Sequence, residues 1–313
     1  LTEELARGWM SLTGVIGSHG IVCYLIASHG TEEQRERFLP GLARGERRSG
    51  IAITEPDCGS DVAAVRTSAR REGADYLVNG TKMFVTNSDH GTMFGVVVKT
   101  NPQAEPPHRG ISLLLIEKGS PRFRVSRHLR KLGYRGVRTG ELVFEDCRVP
   151  PGNLLGEENR GFPLLMDGME VGRIQVAARA LGLARAAFED SIRYAQHRRA
   201  FGQTISNFQA IKFKLADMAT EIECARQMIY LAASRKDRGE RCDLEAGMAK
   251  LFATEMAERC TSLAINIHGG IGYIQELPVE RYFRDAKLLT VGEGTNDIQR
   301  LVIARRLLEK YRA

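Results

Sequence analysis

The sequence lacks several features that would assign it to well-known classes of protein. Its six cysteines contain no CxxC pair, which argues against a disulfide framework or a zinc site and favours reduced thiols in a cytosol-like compartment. The seven histidines form no HExxH motif, so nothing supports a metal site or metal catalysis. Because no uninterrupted apolar run of about 18 residues occurs, we expect no membrane span.

Concentrated charge is also scarce in this chain. The formal net charge is +7 over 313 residues, but basic pairs such as Arg47-Arg48 and Arg70-Arg71 are short and scattered. We favour an ordinary solvated surface over a nucleic-acid-binding face, although the positive charge would also attract a phosphorylated cofactor. No signal or transit peptide is visible, so we expect a cytoplasmic location, or the mitochondrial matrix if the source is eukaryotic.

The hydrophobic pattern changes twice along the chain and predicts three regions. Residues 1–49 have helical spacing, residues 50–156 contain short β-branched runs separated by close turn signals, and residues 157–313 return to long helical stripes. We therefore predict an α+β protein. We expect an N-terminal helical region that is incomplete by about half a domain, an antiparallel β-barrel middle domain and a C-terminal four-helix bundle.

Local signals predict where some of these elements begin, turn and end. Thr31 to Gln34 form a capping box that should open a helix, and Pro40-Gly41 should stop it. Asn79-Gly80, which lies between alternating apolar segments, is the strongest hairpin signal in the β region. In the first helix the apolar spacing of Leu5, Trp9, Leu12 and Ile16 predicts the buried face.

One carboxylate stands between two glycines in the segment Val291-Gly292-Glu293-Gly294-Thr295. Glycine on both sides frees the backbone and removes neighbouring side chains, so a small molecule could lie directly against Glu293. A dry site of that kind would suit a general base. The alternative interpretation is a capping box from Thr290 to Glu293 that opens the last helix. These residues alone leave both interpretations open.

Four further segments have features of ligand-binding turns, and each also has an ordinary structural explanation. The turn in Ala52–Asp61 exposes backbone N–H groups that suit a phosphate, or it is a plain capped turn. Phe84 to Asn87 end a strand where a flat ring could lie. Arg198 to Gly202 combine basic and aromatic residues before Gln209. His268 to Tyr273 follow a helix, which excludes a Rossmann site and leaves a glycine C-cap.

Three of these segments together resemble the acyl-CoA dehydrogenase family. Ala52–Ala64 is similar to that family's first signature, Asn266–Asp285 to its second, and Gly292–Arg300 to the segment that carries its catalytic base. The likeness extends over nearly all of the chain. Asn266 is a departure, because the family usually has an acid or glutamine there.

The resemblance implies an FAD site that a second subunit completes. Within the β domain the flavin and pyrophosphate would contact Ile51, Ile53, Thr54, Gly59, Ser60, Phe84 and Thr86. From the neighbouring subunit the adenosine half would contact Arg198, Phe201, Gln209, Asn266 and Gly270. The remaining cofactor contacts would come from Thr295 and Asp297.

The resemblance also implies a reaction, the α,β-dehydrogenation of an acyl-CoA thioester to the trans-2-enoyl-CoA. Glu293 would take the α-proton while the β-hydride passes to flavin N5. Some family members carry the base on the helix after the β domain, where this chain has Gly172. Substrate contacts would come from Ser60, Glu170, Arg173, Gly292 and Gly294. Because relatives often have tyrosine at Gly292, the pocket should be wide enough for a branched or bulky acyl group.

The resemblance further implies an electron-transferring flavoprotein as electron acceptor and a homo-oligomer, either a dimer or a tetramer. We expect no membrane and no nucleic acid among the partners. Two alternatives stay open on the sequence. One is an acyl-CoA oxidase or another flavin oxidase with the same fold. The other is a non-catalytic, DNA-binding relative, which the positive charge would permit.

Overall fold

Eight α-helices and ten β-strands occur in residues 1–312, which are the residues described by the computed structural model. The helices are α1 (Thr2–His29), α2 (Glu32–Ala43), α3 (Gly161–His197), α4 (Gln209–Asp237), α5 (Asp243–His268), α6 (Gly270–Tyr273), α7 (Val279–Val291) and α8 (Asn296–Lys310). The strands are β1 (Ser49–Ala52), β2 (Ser68–Glu72), β3 (Asp75–Thr86), β4 (Met93–Lys99), β5 (Ile111–Glu117), β6 (Phe123–His128), β7 (Thr139–Val149), β8 (Leu154–Leu155), β9 (Arg199–Ala200) and β10 (Gln203–Thr204).

Internal contacts divide the chain into two compact units. The helical unit comprises residues 1–13, residues 131–135 and the chain from Glu170 onward. The sheet unit comprises residues 14–130 and 136–169. The two units do not coincide with the three regions predicted from the sequence. Those regions, with boundaries near residues 49 and 156, stay a prediction.

An eight-stranded sheet forms the frame of the sheet unit. Seven strands follow the order β6-β7-β3-β2-β4-β5-β8, and β1 pairs with β4 beside them. Most pairings are antiparallel, but β1 and β2 each run parallel to β4. The sheet is therefore mixed, which differs from the purely antiparallel pairing that the turn signals predict. β1 and β2 reach β4 through long connections, and long connections are what parallel pairing needs.

The predicted hairpin at Asn79-Gly80 is wrong, because β3 runs straight through both residues. The chain turns earlier, at Gly73, between β2 and β3. At Gly80 the φ angle is +147° and the register against β7 shifts, so a β-bulge replaces the turn. A Cβ at Gly80 would lie 2.5 Å from Oγ1 of Thr67. This glycine therefore allows the close approach of the backbone before β2.

Apolar side chains cover both faces of this sheet. One cluster joins Ile21, Leu25 and Phe38 of α1 and α2 to strand residues such as Val97 and Leu113. The other lies on the opposite face and is defined by Tyr76, Val78, Val85, Phe94, Val96, Leu114, Leu142 and Phe144. Burial on both faces explains why β4 and β5 consist of nearly continuous apolar runs.

The helices at the start of the chain differ from the sequence expectation in three respects. The capping box at Thr31 is present, but α2 continues through Pro40 to Ala43, since a proline in the last turn removes only one hydrogen bond. Trp9, Leu12 and Ile16 are partly exposed, so they are not the buried face of α1. By length and composition α1 could cross a membrane; 56% of its most apolar 18-residue window is buried, as is common for core helices.

In the helical unit α5 is the central element. It packs against α4, α7 and α8, and its small residues, such as Ala246, Ala249 and Ala253, are fully buried. The carboxylate of Glu3 accepts hydrogen bonds from Arg185 at 2.7 Å and from Arg226 at 2.6 Å. These bonds tie the start of the chain to α3 and α4.

Gly182 of α3 marks a close approach of two helices, and substitution there should destabilise the protein. A Cβ at Gly182 would lie 2.1 Å from the carbonyl oxygen of Glu3 and 2.8 Å from Cβ of Ala6. We expect Gly182→Ala to cost about 1–3 kcal/mol because the backbone must shift. Thermal unfolding would measure this as a lower Tm. Gly8→Ala is the control, since its Cβ would have no atom within 4 Å; an equal loss in both variants would contradict the packing argument.

Candidate active site

The segment that carries Glu293 is a tight turn between two helices of the helical unit. α7 ends at Val291, and the backbone N–H of Gly292 donates to the carbonyl of Leu288 at 2.8 Å. Glu293 and Gly294 both adopt positive φ angles, +54° and +82°. A glutamate in this region is strained, and such strain often occurs at functional sites.

The alternative interpretation of this segment as a capping box is wrong. Thr290 lies inside α7, and its hydroxyl donates to Oε1 of Glu258 at 2.8 Å. The N-cap of α8 is Thr295, whose hydroxyl oxygen accepts from the N–H of Ile298 at 3.3 Å. Glu293 therefore has no capping function, and its carboxylate has another environment.

That environment is half-buried and rich in positive charge, since 23% of the Glu293 side chain is exposed. Oε1 of Glu293 lies 3.5 Å from Nη1 of Arg179, while Oε2 is buried and has no hydrogen-bond partner among the described residues. Burial raises the pKa of Glu293, and the positive charges of Arg179, Lys250 and Arg173 oppose this rise. A carboxylate with one free oxygen and a raised pKa is suited to accept a proton.

Lys250 of α5 is hydrogen-bonded to the turn that carries Glu293. It is fully buried, and its Nζ donates to the carbonyl of Gly294 at 2.9 Å and to Oδ1 of Asn296 at 2.8 Å. Burial lowers the pKa of Lys250 to about 8, although Glu293 acts in the opposite direction. Gln299 donates to the same Gly294 carbonyl at 3.2 Å. These bonds hold the strained backbone in place.

The predicted substrate residues differ in burial and in their hydrogen-bond partners. Arg173 is buried on α3, its Nε has no partner, and its charge acts on Glu293. Gly292 and Gly294 flank Glu293, and their contact with a substrate stays a prediction. Glu170 instead accepts from Nζ of Lys236 at 3.1 Å, so it is part of an ion pair within the helical unit. Ser60 belongs to the sheet unit and is exposed.

The candidate flavin residues of the sheet unit lie on adjoining segments. The backbone N–H of Met83 donates to the carbonyl of Thr54 at 2.7 Å, which places residues 51–54 beside the end of β3. Phe84 is 61% exposed and has a φ angle of +57°. A Cβ at Gly50 would lie 2.4 Å from the carbonyl oxygen of Thr86. The structure thus brings Ile51, Ile53 and Thr54 together with Phe84 and Thr86.

A buried ion pair supports this group of residues. Nζ of Lys82 lies 2.7 Å from Oε1 of Glu55 and donates to the carbonyl of Ile53 at 2.9 Å. The Glu55 carboxylate also accepts from the backbone N–H groups of Arg66 at 2.7 Å and Thr67 at 2.9 Å. The turn that follows leaves Gly59 and Ser60 exposed, as a contact to a phosphate group requires.

The candidate adenosine residues are all exposed in the helical unit. Arg198, Phe201 and Gln209 surround the turn between β9 and β10, where Phe201 is 94% exposed and has a φ angle of +51°. Asn266 lies in the last turn of α5, and Gly270 begins α6. The rings of Tyr194 and His268 stack at 4.4 Å and join the two places. Separately from this group, Thr295 is half-buried and Asp297 is exposed.

Three residues around Glu293 were not predicted from the sequence. Arg179 and Lys250 are buried on α3 and α5, and Tyr134 is buried in a short segment of the same unit with a φ angle of +56°. Burial raises the pKa of Tyr134, and the charges of Arg179 and Glu293 also act on it. The available signal was a lone charge among apolar neighbours, as at Arg179 between Ala178 and Ala180.

Comparison with known families matches nearly the whole chain to one family. Residues 1–46 match the acyl-CoA dehydrogenase N-terminal domain, residues 50–147 the middle domain, and residues 159–308 the C-terminal domain. The segment around Glu293 lies in the third match, and the candidate flavin residues lie in the second.

Individual relatives give the same picture. An acyl-CoA dehydrogenase of Bacillus subtilis is 45% identical over 279 residues, which are 89% of this chain and 73% of that protein. The mitochondrial short-chain specific acyl-CoA dehydrogenase of Rattus norvegicus is 42% identical over 313 residues, with 99% and 75% covered. The crystal structure of an acyl-CoA dehydrogenase from Geobacillus kaustophilus superposes with a TM-score of 0.96 at 42% identity and covers 98% of this chain and 80% of its own.

Proposed function

We propose that this chain, which belongs to the acyl-CoA dehydrogenase family and is an FAD-dependent oxidoreductase acting on CH–CH groups, uses Glu293 to dehydrogenate an acyl-CoA thioester. The product is the trans-2-enoyl-CoA. The observation that carries this proposal is the Glu293 carboxylate, which is held in a strained turn with Oε2 buried and free of partners.

The role of Glu293 is to move one proton. The carboxylate takes the proton from the α carbon, and the backbone N–H of Glu293 donates to the thioester oxygen as negative charge develops there. Gly292 and Gly294 leave the space beside the carboxylate free of side chains. When bound, FAD supplies the two-electron acceptor for the β-hydride. A raised pKa makes Glu293 a stronger base for a weakly acidic C–H bond.

The residues present fit an FAD cofactor. Phe84 exposes its ring in a left-handed backbone conformation next to Thr54 and Thr86, which is a costly arrangement unless a flat ligand covers it. Gly59 and Ser60 present an exposed turn for the pyrophosphate. Phe201, nearly fully exposed, would contact the adenosine half from a neighbouring subunit together with Arg198, Gln209, Asn266 and Gly270. Thr295 and Asp297 would complete the contacts.

Several properties of the protein in its cell follow as part of the same proposal. An exposed aromatic such as Phe201 is satisfied in a homo-oligomer, of two or four subunits. The reduced cofactor would pass its electrons to an electron-transferring flavoprotein. The protein would work in the cytoplasm. Arg173 would act beside the substrate, and Gly292 would leave room for a branched acyl group.

A panel of acyl-CoA thioesters tests the function directly. Straight-chain substrates from butyryl-CoA upward and branched ones such as isobutyryl-CoA are added without oxygen, and bleaching of the yellow flavin is followed. We expect bleaching by at least one thioester and turnover with a dye acceptor. Peroxide formation at a comparable rate in air would favour the oxidase instead. A flavin-loaded protein that no thioester bleaches would reject the dehydrogenase proposal.

A further inference from the structure

Arg179 makes the one ion pair recorded for Glu293 among the described residues. Its side chain is buried on α3, and Nη1 lies 3.5 Å from Oε1 of Glu293. Its Nε and Nη2 are buried as well and have no hydrogen-bond partner. A buried guanidinium with two unsatisfied donors is costly, so its position needs a reason beyond packing.

The other charged groups around Glu293 are less suited to pair with it. From α3, Arg173 acts on it through its charge, and from α5 Lys250 does the same, but the Lys250 ammonium is bound to Gly294 and Asn296. Tyr134 faces the same region, and the backbone N–H of Tyr134 donates to Asp285 of α7. The Arg179 guanidinium is thus the cation in direct contact with the carboxylate.

We propose that Arg179 is a positioning residue that keeps the Glu293 carboxylate ionised and oriented before a thioester enters. This inference rests on the proposed function, because it concerns the readiness of the base. A carboxyl group buried without a counter-charge takes up a proton, and a protonated Glu293 cannot abstract another. A guanidinium is the cation best suited to an ion pair with a carboxylate away from water. The Arg179 guanidinium contacts Oε1 and leaves Oε2 without a hydrogen-bond partner among the described residues.

Two substitutions separate the charge of Arg179 from its volume. Arg179→Gln keeps a long polar side chain without the charge, and Arg179→Lys keeps the charge. The pH dependence of kcat/KM for a substrate found by the thioester panel is measured from pH 5 to 9 for each holoenzyme. We expect Arg179→Gln to move the acid limb about one pH unit or more upward, which is roughly a tenfold loss on that limb. The acid limb of Arg179→Lys should stay near that of the wild type.

The value of kcat/KM at high pH, above the shifted acid limb, distinguishes the loss of the Arg179 charge from a general disturbance of packing. Once Glu293 is ionised in Arg179→Gln, its higher pKa makes it at least as strong a base, so kcat/KM should recover at high pH. An acid limb in the Arg179→Gln variant that coincides with that of the wild type would overturn the proposal. A uniform loss at all pH values with an unmoved limb would do so too, since that is the effect of altered packing.

A second readout needs no turnover. Infrared spectroscopy detects the C=O stretch of a protonated carboxyl group. The band that is absent from the spectrum of the Glu293→Gln variant is the band of Glu293. At pH 7 we expect this signal to be stronger in Arg179→Gln than in the wild type; equal signals would overturn the inference. If the wild type holds flavin but dehydrogenates no thioester, the proposed function fails while this measurement still reports on the contact of Arg179 with Glu293.

Discussion

Glu293→Gln should lower turnover by about 10²–10⁴-fold while the protein keeps its yellow flavin. The substitution replaces a proton acceptor by an amide of almost the same shape. The amide cannot take the α-proton, so the chemical step loses its base. The strained backbone of the turn, its bonds to Lys250 and Gln299, and the candidate flavin residues of the sheet unit are unchanged. Steady-state rates with a dye acceptor and the flavin absorbance measure the two effects separately.

A glutamate of the preceding helix provides the control for this substitution. Glu280 lies near the start of α7 and accepts from Nε of Arg284 at 2.6 Å, and that bond lowers the pKa of its carboxyl. We expect Glu280→Gln to leave turnover close to that of the wild type. Near-normal activity of Glu293→Gln would reject its assignment as the base. Loss of the flavin in that variant would show that it affects binding instead.

The turn that carries Glu293 could be predicted because its determinants are local. Two glycines around Glu293 release the backbone, and the apolar pattern of α8 begins directly after them. The capping box at Thr31 was predictable for the same reason, since all its partners lie within one turn of helix. Where the structure depends on a few neighbouring residues, the sequence is sufficient to predict it.

Features that depend on distant partners escaped the sequence. Asn79-Gly80 has the composition of a hairpin, but the glycine is needed because Thr67 lies against it. Thr67 is thirteen residues away along the chain, and no local pattern encodes this contact. Arg179 and Lys250 reach Glu293 from α3 and α5, and their spacing from it, more than forty residues, contains no periodic signal. The charges that act on the pKa of Glu293 could therefore not be predicted from the sequence.

The second large effect concerns the buried pair of Glu55 and Lys82 in the sheet unit. Lys82 is fully buried and Glu55 is 7% exposed, so each charge depends on the other. We expect Glu55→Gln to destabilise the protein by about 3–5 kcal/mol, because it leaves the Lys82 ammonium buried without a counter-charge. Burial lowers the pKa of Lys82 to about 8 even in the presence of Glu55. Denaturant unfolding at pH 7 measures the loss.

The pH dependence of this loss has a definite sign. Burial acts to raise the pKa of Glu55, but Lys82 and the backbone N–H of Arg66 outweigh it, so the net pKa lies below its ordinary value. The stabilisation by ionised Glu55 is therefore present above its unfolded pKa and is lost as the pH falls through the lower, folded pKa. The difference in stability between the wild type and Glu55→Gln should narrow in acid.

Two further variants decide whether the burial of the pair is the cause. Glu72→Gln removes a carboxylate from the exposed pairs with Arg70 and Arg148 and should cost less than about 1 kcal/mol. Adding Lys82→Met to Glu55→Gln removes the unpaired charge and should restore much of the lost stability. If the two substitutions acted independently, the double variant would instead lose the sum of the two single losses. Additive losses in that double variant would mean that the two charges act separately. The conformation of residues 53–55 would then depend on backbone hydrogen bonds and not on the ion pair.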